Sequence, residues 1–362
     1  MNQHTHRPTA TTTAAAALWP KEGTPYRLRL NSRFVPVLHR DTANIERRAN
    51  AWARPLLVAH FRSERAADAY LAQRTPFWAG MTFSHARHDR GYWAAVNAIT
   101  WGVVDDAFAR PEVRDDHARL DLLRHLFHQA IDGTPAPEGE SAVRMAYEAV
   151  VGVAADMPPT MADRIRTTLH KAIDSSADQN RGPLLDTLTE EAYLAIRADD
   201  MWAVWIVIMT EYALAIDLGD ELAHDPDLHQ AAQLATDSIA YVNDLFSFNK
   251  EISMDEAFNL IWIYMRDGGL DLQSAIDKLI ALQQSNEDEF VRLRDRVLAG
   301  PLGARTDIRE YLSALEHIYP ASPYFYSFSP RYRAHTRWDG IIPEHYIVEP
   351  IPSVFEIAKS DA

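Results

Sequence analysis

The chain has 362 residues, enough for one large domain or two, and its 36 Lys and Arg against 51 Asp and Glu leave a net charge of −15. So acidic a surface repels polyanions at long range, which excludes general binding to nucleic acid or to an anionic membrane. The absence of cysteine excludes disulfides, thiolate metal sites and cysteine nucleophiles, and 14 glycines are too few for a glycine-rich nucleotide fold or a turn-rich β architecture.

At the N-terminus, residues 1–22 have no basic cluster followed by a long apolar core. This Thr/Ala-rich stretch reads as a disordered tail, not a signal peptide. Beyond it, prolines such as Pro55, Pro76, Pro111, Pro159, Pro226 and Pro301 bound blocks in which apolar residues recur three and four apart, as in Leu120, Leu123, Phe127 and Ala130. That is the helical period, and runs of alternating β-branched residues are missing. The pattern predicts a single all-α domain over 23–340, with about ten to twelve helices, and a C-terminal tail over 341–362. The Asp132–Glu140 stretch reads as a loop. From Met201 to Ile216 the chain is apolar nearly all round, so a ring of other helices is expected to surround this one. Thr210, Glu211 and Tyr212 interrupt that run, which falls short of the ~20 residues that span a bilayer. A soluble, cytoplasmic protein without membrane insertion is expected.

Four features could carry chemistry. In YWAAVNAITWGVVDD, helical steps place Asn97, Trp101, Val104, Asp105 and Phe108 on one face. Asp105 and Asp106 then end a helix with an apolar, aromatic inner side, or they are simply two solvated acids. In YVNDLFSFNKE, Asn243, Ser247 and Glu251 stack at i, i+4 and i+8. These are hard oxygen donors of the kind Mg²⁺ takes together with waters and phosphate, although an ordinary polar helix face has the same pattern. Arg197, and the pair Arg331 and Tyr332, offer donors suited to phosphate oxygens or to structural ion pairs.

Taken together, these residues resemble the class I terpene synthases of microbial type. NDLFSFNKE is similar to that family's magnesium motif N-D-x-x-S-x-x-x-E, including the Lys before the Glu, and Arg197 stands 46 residues ahead of Asn243. The resemblance implies Asp105, Asn243, Ser247 and Glu251 as metal ligands and three Mg²⁺ ions as cofactor. It also implies Arg197 as diphosphate sensor, Asp200 and Met201 as linker and effector, and Lys250, Arg331 and Tyr332 in the diphosphate clamp. One departure stands out. The family's first motif usually carries a third acid, whereas DDAFAR has Ala109 and Arg110. No second DDxxD occurs, which favours cyclisation over chain elongation.

By the same resemblance the fold is a class I terpenoid synthase bundle around a central apolar cavity. Phe77, Trp78, Trp101, Phe108 and Trp202 are candidates to line that cavity, with core packing as the alternative reading. The aromatic segment from Tyr324 to Trp338 could close over its mouth. The partner implied is a prenyl diphosphate, with farnesyl (C15) favoured over geranylgeranyl (C20), and homodimerisation is common in the family. A non-cyclising prenyl diphosphate lyase or hydrolase, or a helical binding protein without activity, are the competing classes.

Overall fold

A computed structural model of the chain describes residues 20–87, 89–179, 188–253, 258–333, 342–349, 351 and 353–359, with the backbone alone described at Pro111, Asp200, Ile252, Ser253 and Lys359. The expected N-terminal tail through residue 19 lies outside these residues, as does Trp338.

In chain order the helices are α1 (Thr42–Phe61), α2 (Glu64–Leu71), α3 (Thr75–Thr82), α4 (Arg90–Ala109), α5 (Pro111–Arg114), α6 (His117–Ile131), α7 (Ser141–Ala154), α8 (Pro159–Gln179) and α9 (Glu190–Asp200). They continue as α10 (Ala203–Leu214), α11 (Gly219–His224), α12 (Pro226–Ser253), α13 (Leu260–Gly268), α14 (Leu272–Ala299), α15 (Thr306–Glu316), α16 (Ile318–Phe328) and α17 (Val354–Lys359). Fourteen of these among the described residues have eight residues or more, above the ten to twelve expected. The surplus comes from breaks inside the expected blocks. One is at Arg74 and another at Trp202, both left-handed in φ, and α15 runs into α16 around His317.

The helix starts follow the local chemistry. The Ser63 hydroxyl accepts from the Ala66 N–H, Asp116 from Ala118 and Arg119, Thr189 from Ala192, and Asp271 from Ser274. Each such cap satisfies an N–H that the helix itself leaves unpaired.

Helix α10 is the centre. All its residues except Val204 are buried, and it packs against α4, α8, α9, α12 and α15. Glu211, the charge that interrupts its apolar run, is fully buried. Its carboxylate accepts two hydrogen bonds from Arg164 at 2.9 and 2.7 Å and one from the Leu218 N–H. Pairing of this kind is what permits a charge in the core. Among the described residues no helix is long and apolar enough to cross a membrane.

The only strands described are β1 (Pro25–Arg27) and β2 (His345–Ile347), an antiparallel pair that matches Tyr26 with Tyr346. The C-terminal segment expected as a tail therefore returns to the body. Val348, Ile351 and Val354 are buried, and α17 lies against α2.

Candidate active site

Helix α12 carries the stripe that the spacing predicts. Ser247 Oγ donates to Glu251 Oε1 at 2.6 Å, and Asn243 sits one turn earlier with its amide nitrogen donating to the Tyr326 hydroxyl at 3.0 Å. Arg197, at the end of α9 and 4% exposed, reaches across to this face. Its Nη2 lies 3.1 Å from Asn243 Oδ1 and 3.8 Å from Glu251 Oε1.

Arg197 is anchored by a residue one position off the stripe. Asp244 is fully buried and accepts from Arg197 Nε and Nη2 at 3.0 and 2.6 Å, from the Tyr193 hydroxyl at 2.5 Å and from the Leu260 N–H at 2.9 Å. Asn259, the N-cap of α13, donates to the Asp244 carbonyl and to Glu251 Oε2. Burial pushes the Asp244 and Glu251 carboxyls up, and the Arg197 guanidinium pulls both back.

The opposing wall is the end of α4. Asp106 is held bidentately by Arg331, with both bonds at 2.8 Å. Burial would raise its pKa, but Arg331 outweighs burial and holds Asp106 below the usual carboxylate range. Asp105 is different. Burial and the Asp106 charge push it up, while Lys250, Arg331 and Arg197 act on it from a distance in the opposite sense. The two neighbours thus differ, Asp106 held in the Arg331 fork and Asp105 in the field of Lys250, Arg331 and Arg197. Tyr332 packs edge-on against Tyr326 at 4.5 Å, which links the Arg331 turn to Asn243.

Trp101 and Trp202 stack at 5.0 Å with ring planes 14° apart. Trp101 is fixed by donation from its Nε1 to Asn97 Oδ1 at 3.1 Å. Trp202 holds φ 57° and ψ 17°, a left-handed conformation that costs about 1–2 kcal/mol for a residue with a Cβ. The strain falls where α9 breaks into α10, directly after Met201, whose N–H closes α9 on the Arg197 carbonyl. The side chain of Asp200 lies outside the described residues.

The other aromatic candidates are placed elsewhere. Phe108 is completely buried against Phe127 of α6. Phe77 lies between the exposed Arg74 guanidinium and Phe328, and Trp78 donates to Ser322, joining α3 to α16. All three touch a neighbouring helix. The segment from Tyr324 to Phe328 is part of α16, with Phe325, Tyr326 and Phe328 buried, so it forms a wall and not a flap. Arg110, which stands where a third acid is usual, pairs with Glu112 and lies 4.8 Å over the Phe355 ring of α17. It faces the C-terminal helix.

Asp244, Tyr193, Asn259 and Tyr326 were not singled out by spacing. A stripe at i and i+4 selects one face, and Asp244 lies about 100° round the helix from Asn243. Tyr193 could have been found, because it stands one turn before Arg197. Asn259 carries the N-cap signature ahead of LIWIY.

Among the described residues no three His, Asp or Glu side chains gather into a metal-sized cluster. The donor set on α12 instead mixes amide, hydroxyl and carboxylate oxygens around a point already faced by a guanidinium nitrogen. That arrangement fits a hard divalent cation, which takes oxygen ligands of these types.

The architecture is the class I terpene synthase fold. Germacradien-4-ol synthase from Streptomyces citricolor superposes with a TM-score of 0.69 at 19% identity, covering 82% of this chain and 97% of that one. An α-eudesmol synthase superposes at 0.71, also at 19% identity, covering 83% and 98%. The family profile described as "Terpene synthase family 2, C-terminal metal binding" matches residues 97–289, more than half of the sequence. The chain belongs to this terpene synthase family, and is an enzyme of the terpene cyclase type. Microbial Terpene synthase-like protein 13 of Selaginella moellendorffii is 26% identical over 266 residues, 71% of this chain and 73% of that protein. Sesquiterpene synthase 6 of Postia placenta is 29% identical over 154 residues, 42% and 44% of the two chains.

Proposed function

We propose that the protein ionises a linear prenyl diphosphate, farnesyl diphosphate above others, and cyclises the resulting allylic cation with release of diphosphate. The observation that carries this reading is the convergence of Asn243, Ser247 and Glu251 on the Arg197 guanidinium, with Asp105 on the facing end of α4. Asn243, Ser247 and Glu251 would hold Mg²⁺, and Asp105 further Mg²⁺, to a total of three ions. Bound there, magnesium neutralises charge on the leaving group.

The chain's own residues do the rest. Arg197 and Lys250 supply positive charge to the diphosphate oxygens, and the Tyr332 hydroxyl a hydrogen bond. Arg331, paired with Asp106 at the end of α4, adds its guanidinium to the same clamp. Asp200 and Met201 sit at the strained break that sets the start of α10. The stacked Trp101 and Trp202 present aromatic surface to a cation, worth roughly 0.5–2 kcal/mol per ring face. Relatives named as sesquiterpene synthases support a C15 substrate.

Incubation with C10, C15 and C20 prenyl diphosphates and Mg²⁺, with products identified by mass spectrometry, tests the proposal. Cyclic C15 products are expected from the wild type, and none from Asn243→Ala or Arg197→Ala. Full activity in either variant would sink the assignment. A linear alcohol as sole product would make the protein a hydrolase.

A further inference from the structure

Asn259 opens α13 and meets the side of α12 that carries Glu251. It is 1% exposed, and both ends of its carboxamide are occupied. Oδ1 accepts from the Ile261 N–H at 2.9 Å, which makes the residue an N-cap. Nδ2 donates twice to α12, to the Asp244 carbonyl at 2.9 Å and to Glu251 Oε2 at 2.8 Å. With the oxygen fixed by the helix start, the nitrogen is bound to face α12.

Capping alone does not call for asparagine. Ser, Asp and Asn cap about equally well, but Ser and Asp have no amide nitrogen. The amide adds two donors in one plane, aimed at a helix carbonyl and at a buried carboxylate oxygen. Left without its donor, such an oxygen is costly to bury.

The helical period explains why Glu251 has two sets of partners. It stands seven residues after Asp244, within about 20° of it around the helix, and eight after Asn243, about 80° away. It therefore belongs both to the side gripped by α13 and to the stripe of Asn243 and Ser247. Its oxygens divide accordingly. Oε2 takes the Asn259 bond, while Oε1 takes the Ser247 hydroxyl at 2.6 Å and lies 3.8 Å from Arg197 Nη2. The Leu260 N–H donates to Asp244 Oδ2 at 2.9 Å, so the first residues of α13 hold α12 at two points, two turns apart.

We infer that Asn259 is a positioning residue for Glu251, holding Oε2 so that Oε1 stays on the side of Asn243 and Ser247 as a one-oxygen ligand for a divalent cation. The inference rests on the reading of Asn243, Ser247 and Glu251 as the holders of Mg²⁺. Without the Asn259 bond, Glu251 is free to turn both oxygens to Arg197, the paired geometry that guanidinium groups favour. A carboxylate engaged in that way is lost to the ion. Hydrogen bonds that orient a metal-binding carboxylate from behind are commonly worth about 10–100-fold in affinity.

Mn²⁺, followed by electron paramagnetic resonance, serves as the probe in place of Mg²⁺, with inorganic diphosphate held constant. The full chain is compared with Asn259→Ser, Asn259→Ala, Glu251→Ala and the double variant of Asn259→Ser with Glu251→Ala. Both single variants at 259 should melt below the wild type, Ala by more because it also loses the cap, so a fall in melting temperature fits a merely structural role as well. Mn²⁺ affinity separates the two roles. Asn259→Ser and Asn259→Ala should each need about tenfold more Mn²⁺ for half-saturation. Added to Glu251→Ala, Asn259→Ser should cost no further affinity, because no carboxylate is left to position. Wild-type affinity in both Asn259 variants, with Glu251→Ala weakened, would overturn the inference and leave the metal reading standing. Tighter binding would overturn it too, since Asn259 would then be holding Glu251 off the ion. A second tenfold loss in the double variant would show that Asn259 acts through some other group. No uptake by the wild type in the presence of diphosphate would remove the metal reading and the inference with it.

Discussion

At the scale of single residues, the centre of the site is Asp244, which spacing alone passed over. It is the buried counter-ion that fixes Arg197 against Asn243 and Glu251. Asp244→Asn removes the nearer of the two carboxylates facing the buried Arg197 guanidinium and leaves Glu251 at 3.8 Å, and a loss of about 3 kcal/mol is expected in urea unfolding. Tyr193→Phe removes one hydrogen bond to the same carboxylate and should cost about 1.5–3 kcal/mol. A result in the opposite order would mean that Glu251 and Asn243 suffice to hold Arg197. Arg110 allows a sharper test of the departure in the first acidic motif. Because its guanidinium lies over Phe355 and pairs with Glu112, Arg110→Glu should repel Glu112 and loosen α17. The Mg²⁺ concentration for half-maximal activity should stay unchanged. A lower requirement for Mg²⁺ would show that position 110 does reach the metals.

At the scale of helices, two contacts define how closely the bundle is fitted. Gly152 on α7 lies against the Trp93 ring of α4, where an added Cβ would come within 2.2 Å. Gly152→Val must push α7 from α4, and a loss of about 1–3 kcal/mol or more is expected on thermal unfolding. His60 on α1 is packed beside Phe355 of α17, and burial, reinforced by Arg110, pushes its pKa down to about 4. Between about pH 4 and 6.5 the unfolded chain therefore binds more protons than the native one at this residue. Stability should rise with pH across that window and be lost as pH falls toward 4, by up to about 3 kcal/mol from this group. Replacing it as His60→Leu should flatten that part of a stability-against-pH curve. An unchanged slope would assign the acid sensitivity to other groups.

At the scale of the whole molecule, the helical class and the buried α10 were legible because apolar periodicity is local. The α12 stripe was legible for the same reason, since residues four apart on a helix must be neighbours. What the sequence hid were contacts between helices distant in the chain. Nothing near Tyr326 says that it meets Asn243, and nothing near Asp106 says that Arg331 grips it. The aromatic residues were the least legible, because Trp101 and Phe108 share a face on paper. Yet Trp101 stacks on Trp202 while Phe108 fills the seam with α6. The C-terminal segment was underrated because Pro343, Pro350 and Pro352 interrupt its apolar residues, so that no helical or strand period shows. Burial of Val348, Ile351 and Val354 stabilises the body by about 1.5 kcal/mol each. Deleting residues 342–362 should therefore lower the melting temperature measurably, and an unchanged melt would show that this segment only rests on the surface.

The pairing of β1 with β2 has a consequence for the order of assembly. Tyr26 is synthesised 320 residues ahead of its partner Tyr346, so the earlier strand has no partner while the intervening helices form. Closing so long a loop costs entropy that a three-residue ladder does not recover alone, and the strands can pair only on a body already built. The ladder therefore forms only after the helices between its two strands. By the same reasoning it is the first to exchange its amide protons when the native molecule breathes.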